Sequence, residues 1–265
     1  MTESSYVLDN DWVYERERFD AIERNLDPGT IWALTEIGVS NGWNCLEVGA
    51  GGGSVTEWLC KPVGSDGQVT AIDLNNRFVD LLDYENLEVH ELNVVTDDLL
   101  VEEYDLVHSR FILAHLPERD SVLVKMIQAL RPGRWMLVEE PDFGTMEADP
   151  LGAESKRQMF DKGIAAIDSL LESRGVDRFY GRELYSKLNS FGLTRVKANG
   201  RSVTLQGGTP ESKKLALTME QLQIPAVGNG LITDQDYLPF KALFDDESFY
   251  WRMYLMTSAW AQKPK

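Results

Sequence analysis

Cysteine is nearly absent from this chain. The two that occur, Cys45 and Cys60, stand in apolar sequence without the spacing of a zinc site or a redox pair, which argues against a disulfide scaffold or a thiolate metal centre. Buried free thiols in a reducing compartment are the simplest account. Basic residues are also in short supply: 26 Lys and Arg stand against 43 Asp and Glu, a net charge of -17. That sign repels phosphate backbones and anionic membrane surfaces at long range, so nucleic acid and membrane are poor partners. Its plainest consequence is solubility. No apolar run reaches the roughly 18 residues of a membrane span, and residues 1–10 have no basic stretch followed by an apolar one. Internal repeats and a linker between two domains are missing too. We expect a cytoplasmic protein, monomer or homodimer, with a small-molecule partner.

What is present suits a folded α/β chain. Its 265 residues, 43% hydrophobic and 26% charged, are enough to bury one large core, with residues 1–265 as a single domain. Residues 11–26 place apolar side chains on one side of a helix. Asp27-Pro28-Gly29-Thr30 interrupts it, and residues 31–39 read as a second short helix. From residue 44 the pattern changes to short apolar runs alternating with helical stretches. Strands are expected at 45–48, 68–73, 87–92, 104–109 and 135–139, with helices at 54–59, 78–82 and 121–130; such alternation implies parallel strands joined by crossover helices. The second half is less regular, with helices at 156–171, 181–191, 211–223 and 234–244 and strands at 194–198 and 201–206. Residues 249–261, rich in aromatics, read as one closing strand.

The chemistry concentrates where the first strand ends. In Leu46-Glu47-Val48-Gly49-Ala50-Gly51-Gly52-Gly53 the glycines let the backbone turn sharply and approach a ligand closely. Ser54 stands where a dinucleotide loop needs its third glycine, and the Glu47 carboxylate would repel a pyrophosphate. The same carboxylate suits a ligand with an ammonium group and no phosphate, favouring S-adenosylmethionine over a nicotinamide. Asp73, closing the next strand, stands where an acid accepts ribose hydroxyls.

Together with Tyr104-Asp105-Leu106-Val107-His108 and Leu130-Arg131-Pro132-Gly133, these segments resemble the successive motifs of class I S-adenosylmethionine-dependent methyltransferases, over residues 44–142. The resemblance implies a Rossmann-like open, mostly parallel seven-stranded sheet with flanking helices and an antiparallel last strand. It further implies a cofactor-binding core at 44–142, an N-terminal helical cap at 1–43, and lid, substrate-side helices and C-terminal strands at 143–265. By the same resemblance Glu47, Gly49, Ala50, Gly51 and Gly53 line the methionine and ribose. Asp73 and Leu74 meet the ribose, Asn93 and the Val94 amide meet the adenine, and Ser109 and Arg110 lie nearest the sulfonium. Arg134 stands where the family usually has a second glycine, a departure that touches the turn alone.

Arg110 could hold the methionine carboxylate or an anionic substrate, or could pair with Glu47 or Glu140. His115, which we read as the one histidine near the cleft, suits either a general base or a structural role. Glu139, Glu140 and Asp142 could bind a metal or take a proton, but the spacing also fits a strand end with its caps; no metal is expected. Substrate contacts should come from the N-terminal helices, with Tyr6, Trp12 and Tyr14, and from residues 144–180. The tail aromatics Phe249, Tyr250, Trp251, Tyr254 and Trp260 should pack in the sheet, and Met126, Met136, Met253 and Met256 should fill the core. The reaction so implied is in-line methyl transfer to an O, N or C nucleophile of a small molecule, in which alignment and desolvation supply much of the catalysis. A nicotinamide oxidoreductase and a non-catalytic S-adenosylmethionine-binding protein are the alternatives.

Overall fold

The structure, a computed structural model, describes residues 13–265. It begins with one helix, α1 (Glu15–Ile37), in place of the two expected. Pro28 removes a backbone donor inside it, yet the helix runs on because the next turns have a face to bury: Gly29, Thr30, Ala33, Leu34 and Ile37 are all buried. Gly38, at φ 88°, ends it by returning its N–H to the carbonyls of Leu34 and Thr35. Tyr6 and Trp12 lie outside the described residues.

The alternating region is made of β1 (Asn44–Val48), α2 (Ser54–Val63), β2 (Gln68–Asp73), β3 (Leu87–Glu91), β4 (Tyr104–Arg110), α3 (Arg119–Ala129) and β5 (Leu130–Asp142). Residues 78–82 make only a single 3-10 turn, Val79–Leu81, where a helix was expected; so short a segment gains too few hydrogen bonds to offset helix nucleation. Then come β6 (Glu147–Ala148), α4 (Glu154–Ser173), α5 (Tyr180–Ser190), β7 (Thr194–Arg201), β8 (Thr204–Gln206), α6 (Pro210–Gly228), α7 (Asp234–Ala242), β9 (Tyr250–Arg252) and β10 (Leu255–Gln262).

Seven strands form one sheet in the order β3-β2-β1-β4-β5-β10-β7. The first five are parallel, and β10 runs antiparallel to both its neighbours. This is the Rossmann-like sheet with an antiparallel last strand. The tail departs from expectation, because β9 leaves for a small second sheet of order β6-β9-β8. At the bend the ladder changes partners: Met253 N–H donates to the Val203 carbonyl and Leu255 N–H to the Thr145 hydroxyl.

Side chains at alternate strand positions point to opposite faces. One face, with Cys45, Leu106, Leu137 and Trp260, packs under α1 and α2; the other, with Leu46, Val107, Met136 and Ala259, packs against α3 and α5. A third apolar cluster lies outside the sheet, where Phe160 of α4 meets Phe240, Phe244 and Trp251. Both thiols are buried and free, and burial pushes that of Cys60 up to about 11. Among the described residues, no helix is long and apolar enough to cross a membrane.

Candidate functional site

The strand order reverses between β1 and β4, and open α/β sheets receive ligands outside the carboxyl ends of the strands at such a point. A cavity of about 670 Å³ opens there, within the roughly 300–1,000 Å³ usual for small-molecule sites. One wall is the glycine loop. Gly49 and Gly51 both lie at positive φ, 76° and 53°, and a Cβ on Gly49 would fall 2.0 Å from the Ile112 side chain. Only glycine allows the backbone so close. Gly53, at φ 88°, is a correction: it starts α2, packs toward Leu82 and Val79, and does not line the cavity.

Asp73 faces the same wall. Its Oδ2 accepts from Gly51 N–H at 2.8 Å and its Oδ1 from Asn75 N–H at 3.1 Å, which fixes the carboxylate. Burial raises its pKa, and those backbone donors restrain the rise. Leu74, Asn93 and Val94 continue the wall; the Asn93 side-chain Oδ1 accepts from Val95 N–H and so holds the turn after β3. Over the loop lies α1. Arg16 donates to the Gly52 carbonyl at 2.7 Å, and the Phe19 ring meets Phe78 edge-on at 5.8 Å.

Beneath the loop the structure reveals a group that sequence reasoning missed. His108, completely buried, donates to Glu47 Oε2 at 2.7 Å through Nδ1 and to Glu139 Oε2 at 3.1 Å through Nε2. A neutral imidazole has one N–H. Burial disfavours its charge, but the two carboxylates outweigh burial and raise its pKa to about 9, so His108 is an imidazolium at neutral pH. Ser109 points to the opposite face, fully buried and away from the cavity, which corrects its expected place near the sulfonium.

Arg110 does line the cavity, but it pairs with neither expected acid: Nη1 donates to Asp27 Oδ1 and to Thr30 Oγ1, both at 2.9 Å. The continuous α1 brings both partners there. The three acids after β5 are separated by their contacts. Glu139 takes His108, Thr30 and Ser258; Glu140 accepts from the N–H groups of Ile112, Leu113 and Ala114; Asp142 is held by both Nε and Nη2 of Arg182. Burial pushes Glu140 up to about 7 against those three donors. Among the described residues, no group of three His, Cys, Asp or Glu could hold a metal ion.

The wall opposite the loop is apolar. Phe143 and Met146 stand after β5, Met219 and Leu222 come from α6, and Trp251, Met253 and Tyr254 come from the bend before β10. Tyr254 is therefore a correction, because the change of partners in the tail turns it from the main sheet toward the cavity, whereas Trp251 and Met253 belong to the core as expected and line the cavity as well. Tyr14 is half exposed and lines none of it. The helix α4 presents Ile164, Ile167, Asp168 and Leu171, spaced so that one face meets the cavity. Asp168 was not anticipated. Burial pushes its carboxyl up to about 6, and the Arg178 guanidinium at 2.7 Å restrains the rise. His115 reaches the cavity edge-on to Phe143; burial, then the Arg18 and Arg119 charges, press its pKa down to about 4, so it is neutral at physiological pH.

Residues 46–135 match the family model described as a methyltransferase domain. The chain is 29% identical over 183 residues to methyltransferase str2 of Strobilurus tenacellus, covering 69% of this chain and 64% of that one. It is 30% identical over 179 residues to the ubiquinone biosynthesis O-methyltransferase of Hydrogenovibrio crunogenus, covering 64% of this chain and 73% of that one. This chain belongs to the class I S-adenosylmethionine-dependent methyltransferases. Among solved structures, phosphoethanolamine N-methyltransferase 2 of Haemonchus contortus, in complex with phosphomonomethylethanolamine and S-adenosylhomocysteine, covers all of this chain and 61% of that one, with a TM-score of 0.57 at 15% identity. That likeness supports the fold.

The cofactor of this methyltransferase is S-adenosylmethionine, and the residues present fit it. The cradle at Gly49 that a Cβ would fill, the fixed Asp73 carboxylate for a ribose diol and the Glu47 carboxylate for an ammonium stand along one wall.

Proposed function

We propose that this methyltransferase acts on a small, largely apolar molecule bearing one O, N or C nucleophile. One observation carries the reading: the glycine-loop wall and the apolar wall enclose a single cavity, and Asp168 stands on the apolar helix face within it. Glu47, Gly49, Ala50, Gly51, Asp73, Leu74, Asn93, Val94 and Arg110 serve the cofactor side. Bound S-adenosylmethionine supplies an electrophilic methyl group on a sulfonium. The chain's residues align the acceptor with it, exclude water and receive the acceptor's proton.

Asp168, raised toward neutral pH, is matched to that proton transfer. His115, neutral and beside Phe143, borders the same wall, but burial and the Arg18 and Arg119 charges make it the weaker base. The names of the relatives support an oxygen nucleophile first, since they include ubiquinone biosynthesis O-methyltransferases. The chain works in the cytoplasm as one domain, monomer or homodimer, without nucleic acid.

The test is release of S-adenosylhomocysteine, followed by mass spectrometry, with phenols, quinols and apolar amines as acceptors. Turnover should appear with apolar acceptors and vanish in Asp73→Ala. Turnover confined to strongly polar acceptors would overturn the assignment.

A further inference from the structure

Four strands that lie side by side bring a row of polar residues together on the face under α1. Glu47 of β1 is the register partner of His108 on β4; Glu139 of β5 meets His108 through Nε2; Ser258 of β10 is the register partner of Glu139 and donates to it. Their neighbours on that face, Cys45, Leu106, Leu137 and Trp260, are core residues. A row of charge inside a hydrophobic layer is costly unless every member is satisfied, and here each carboxylate meets the imidazolium.

The row does not end at the sheet. Glu139 also accepts from the Thr30 hydroxyl, Thr30 accepts from Arg110, Arg110 donates to Asp27, and Asp27 accepts from Ser54 at the start of α2. The polar groups thus run from Glu47, before the glycine loop, to Ser54, just after it. Of Glu47, His108, Glu139 and Ser258, Glu47 is the member at the cavity wall, and His108 occupies its Oε2.

We propose that His108 is a positioning residue for the cofactor: it holds Glu47 by one carboxylate oxygen so that the other meets the ammonium of the methionine moiety. This rests on the reading of Glu47 as that ammonium's partner. His108 itself, completely buried, touches no ligand. Its effect should therefore be confined to the amino-acid end of the cofactor.

Two probes separate that effect from a structural one. S-adenosylhomocysteine carries the ammonium, and 5′-methylthioadenosine keeps the adenosine and thioether but lacks it. Titration calorimetry on His108→Gln and on Glu47→Gln should show S-adenosylhomocysteine weakened about tenfold in each, as expected for a misplaced charge-assisted hydrogen bond. Methylthioadenosine should stay within about twofold, and the double variant should be no weaker than the worse single one. If His108→Gln weakens both ligands alike, or neither, the proposal is overturned. If Glu47→Gln also spares S-adenosylhomocysteine, the reading of Glu47 falls with it.

Should His108→Gln fail to fold, nitrogen-15 spectra of the wild-type imidazoles give the answer. With three histidines in the chain, comparison with His90→Gln, at the exposed sheet edge, and with His115→Gln assigns the His108 ring by elimination. S-adenosylhomocysteine should shift the His108 Nδ1 signal and methylthioadenosine should leave it in place. No shift with S-adenosylhomocysteine would contradict the proposal.

Discussion

The glycine-loop wall comes, Arg110 apart, from one short stretch, residues 47–95, in which the contacts lie at or just past the end of a strand, whereas the apolar wall opposite draws on α1, α4, α6 and the bend before β10. The first wall works through the path of the backbone: positive-φ glycines, a turn held by Asn93 and one fixed acid at Asp73. The second works through side chains alone. Trp251 illustrates the consequence, since it packs on Phe160 at 6.0 Å and on Phe244 at 5.2 Å while also facing the cavity. A residue in the substrate wall is at once core and site, so that wall can change its ligand only by repacking a core.

Phe160→Ala should break this contrast most severely. Its ring touches Phe240, Phe244, Phe249 and Trp251, and its loss should cost about 3–5 kcal/mol of stability in urea unfolding. S-adenosylhomocysteine binding at low temperature should survive nearly intact; a parallel collapse would mean that the two walls are one unit. Next, Asp168→Asn should lower turnover about 100-fold or more with S-adenosylhomocysteine affinity unchanged. Loss of affinity instead would move Asp168 to the cofactor side.

His115 sits where the walls meet. Its folded pKa of about 4 lies below the roughly 6.5 of an unfolded chain, so the unfolded state gains the proton first and stability falls as pH drops from 6.5 toward 4. Urea midpoints at pH 7 and pH 4.5 should show that His115→Gln removes on the order of 2 kcal/mol of this acid sensitivity. An unchanged slope would place the titration elsewhere. The smallest effect belongs to Arg16→Ala, which frees the Gly52 carbonyl. It should weaken S-adenosylhomocysteine about fivefold, consistent with the modest worth of a part-exposed hydrogen bond. No change would show that α1 does not hold the loop.

The same contrast governed what could be read from sequence. The parallel strands and the loop were legible because short apolar runs and glycines are local signals. Pro28 misled because burial of Thr30, Ala33 and Leu34 overrides one lost hydrogen bond. The tail misled because only the distant partners Val203 and Thr145 reveal the bend at Met253 and Tyr254. His108 was within reach: Cys45 and Glu47, Leu106 and His108, Leu137 and Glu139 each share a face by alternation, but the strand order is needed to set them in a row. Asp168 left a signal as well, a carboxylate at helical spacing among Ile164, Ile167 and Leu171, although nothing local says that this face meets a cavity rather than a core.

The most direct test of the account is calorimetric titration of the purified protein with S-adenosylmethionine, S-adenosylhomocysteine and NADH, repeated on Asp73→Ala. The account predicts micromolar binding of the two adenosyl ligands, none of NADH, and at least a tenfold loss in the variant, the size expected when a charged hydrogen-bond acceptor is removed. Binding of NADH, or of none of the three, would contradict it.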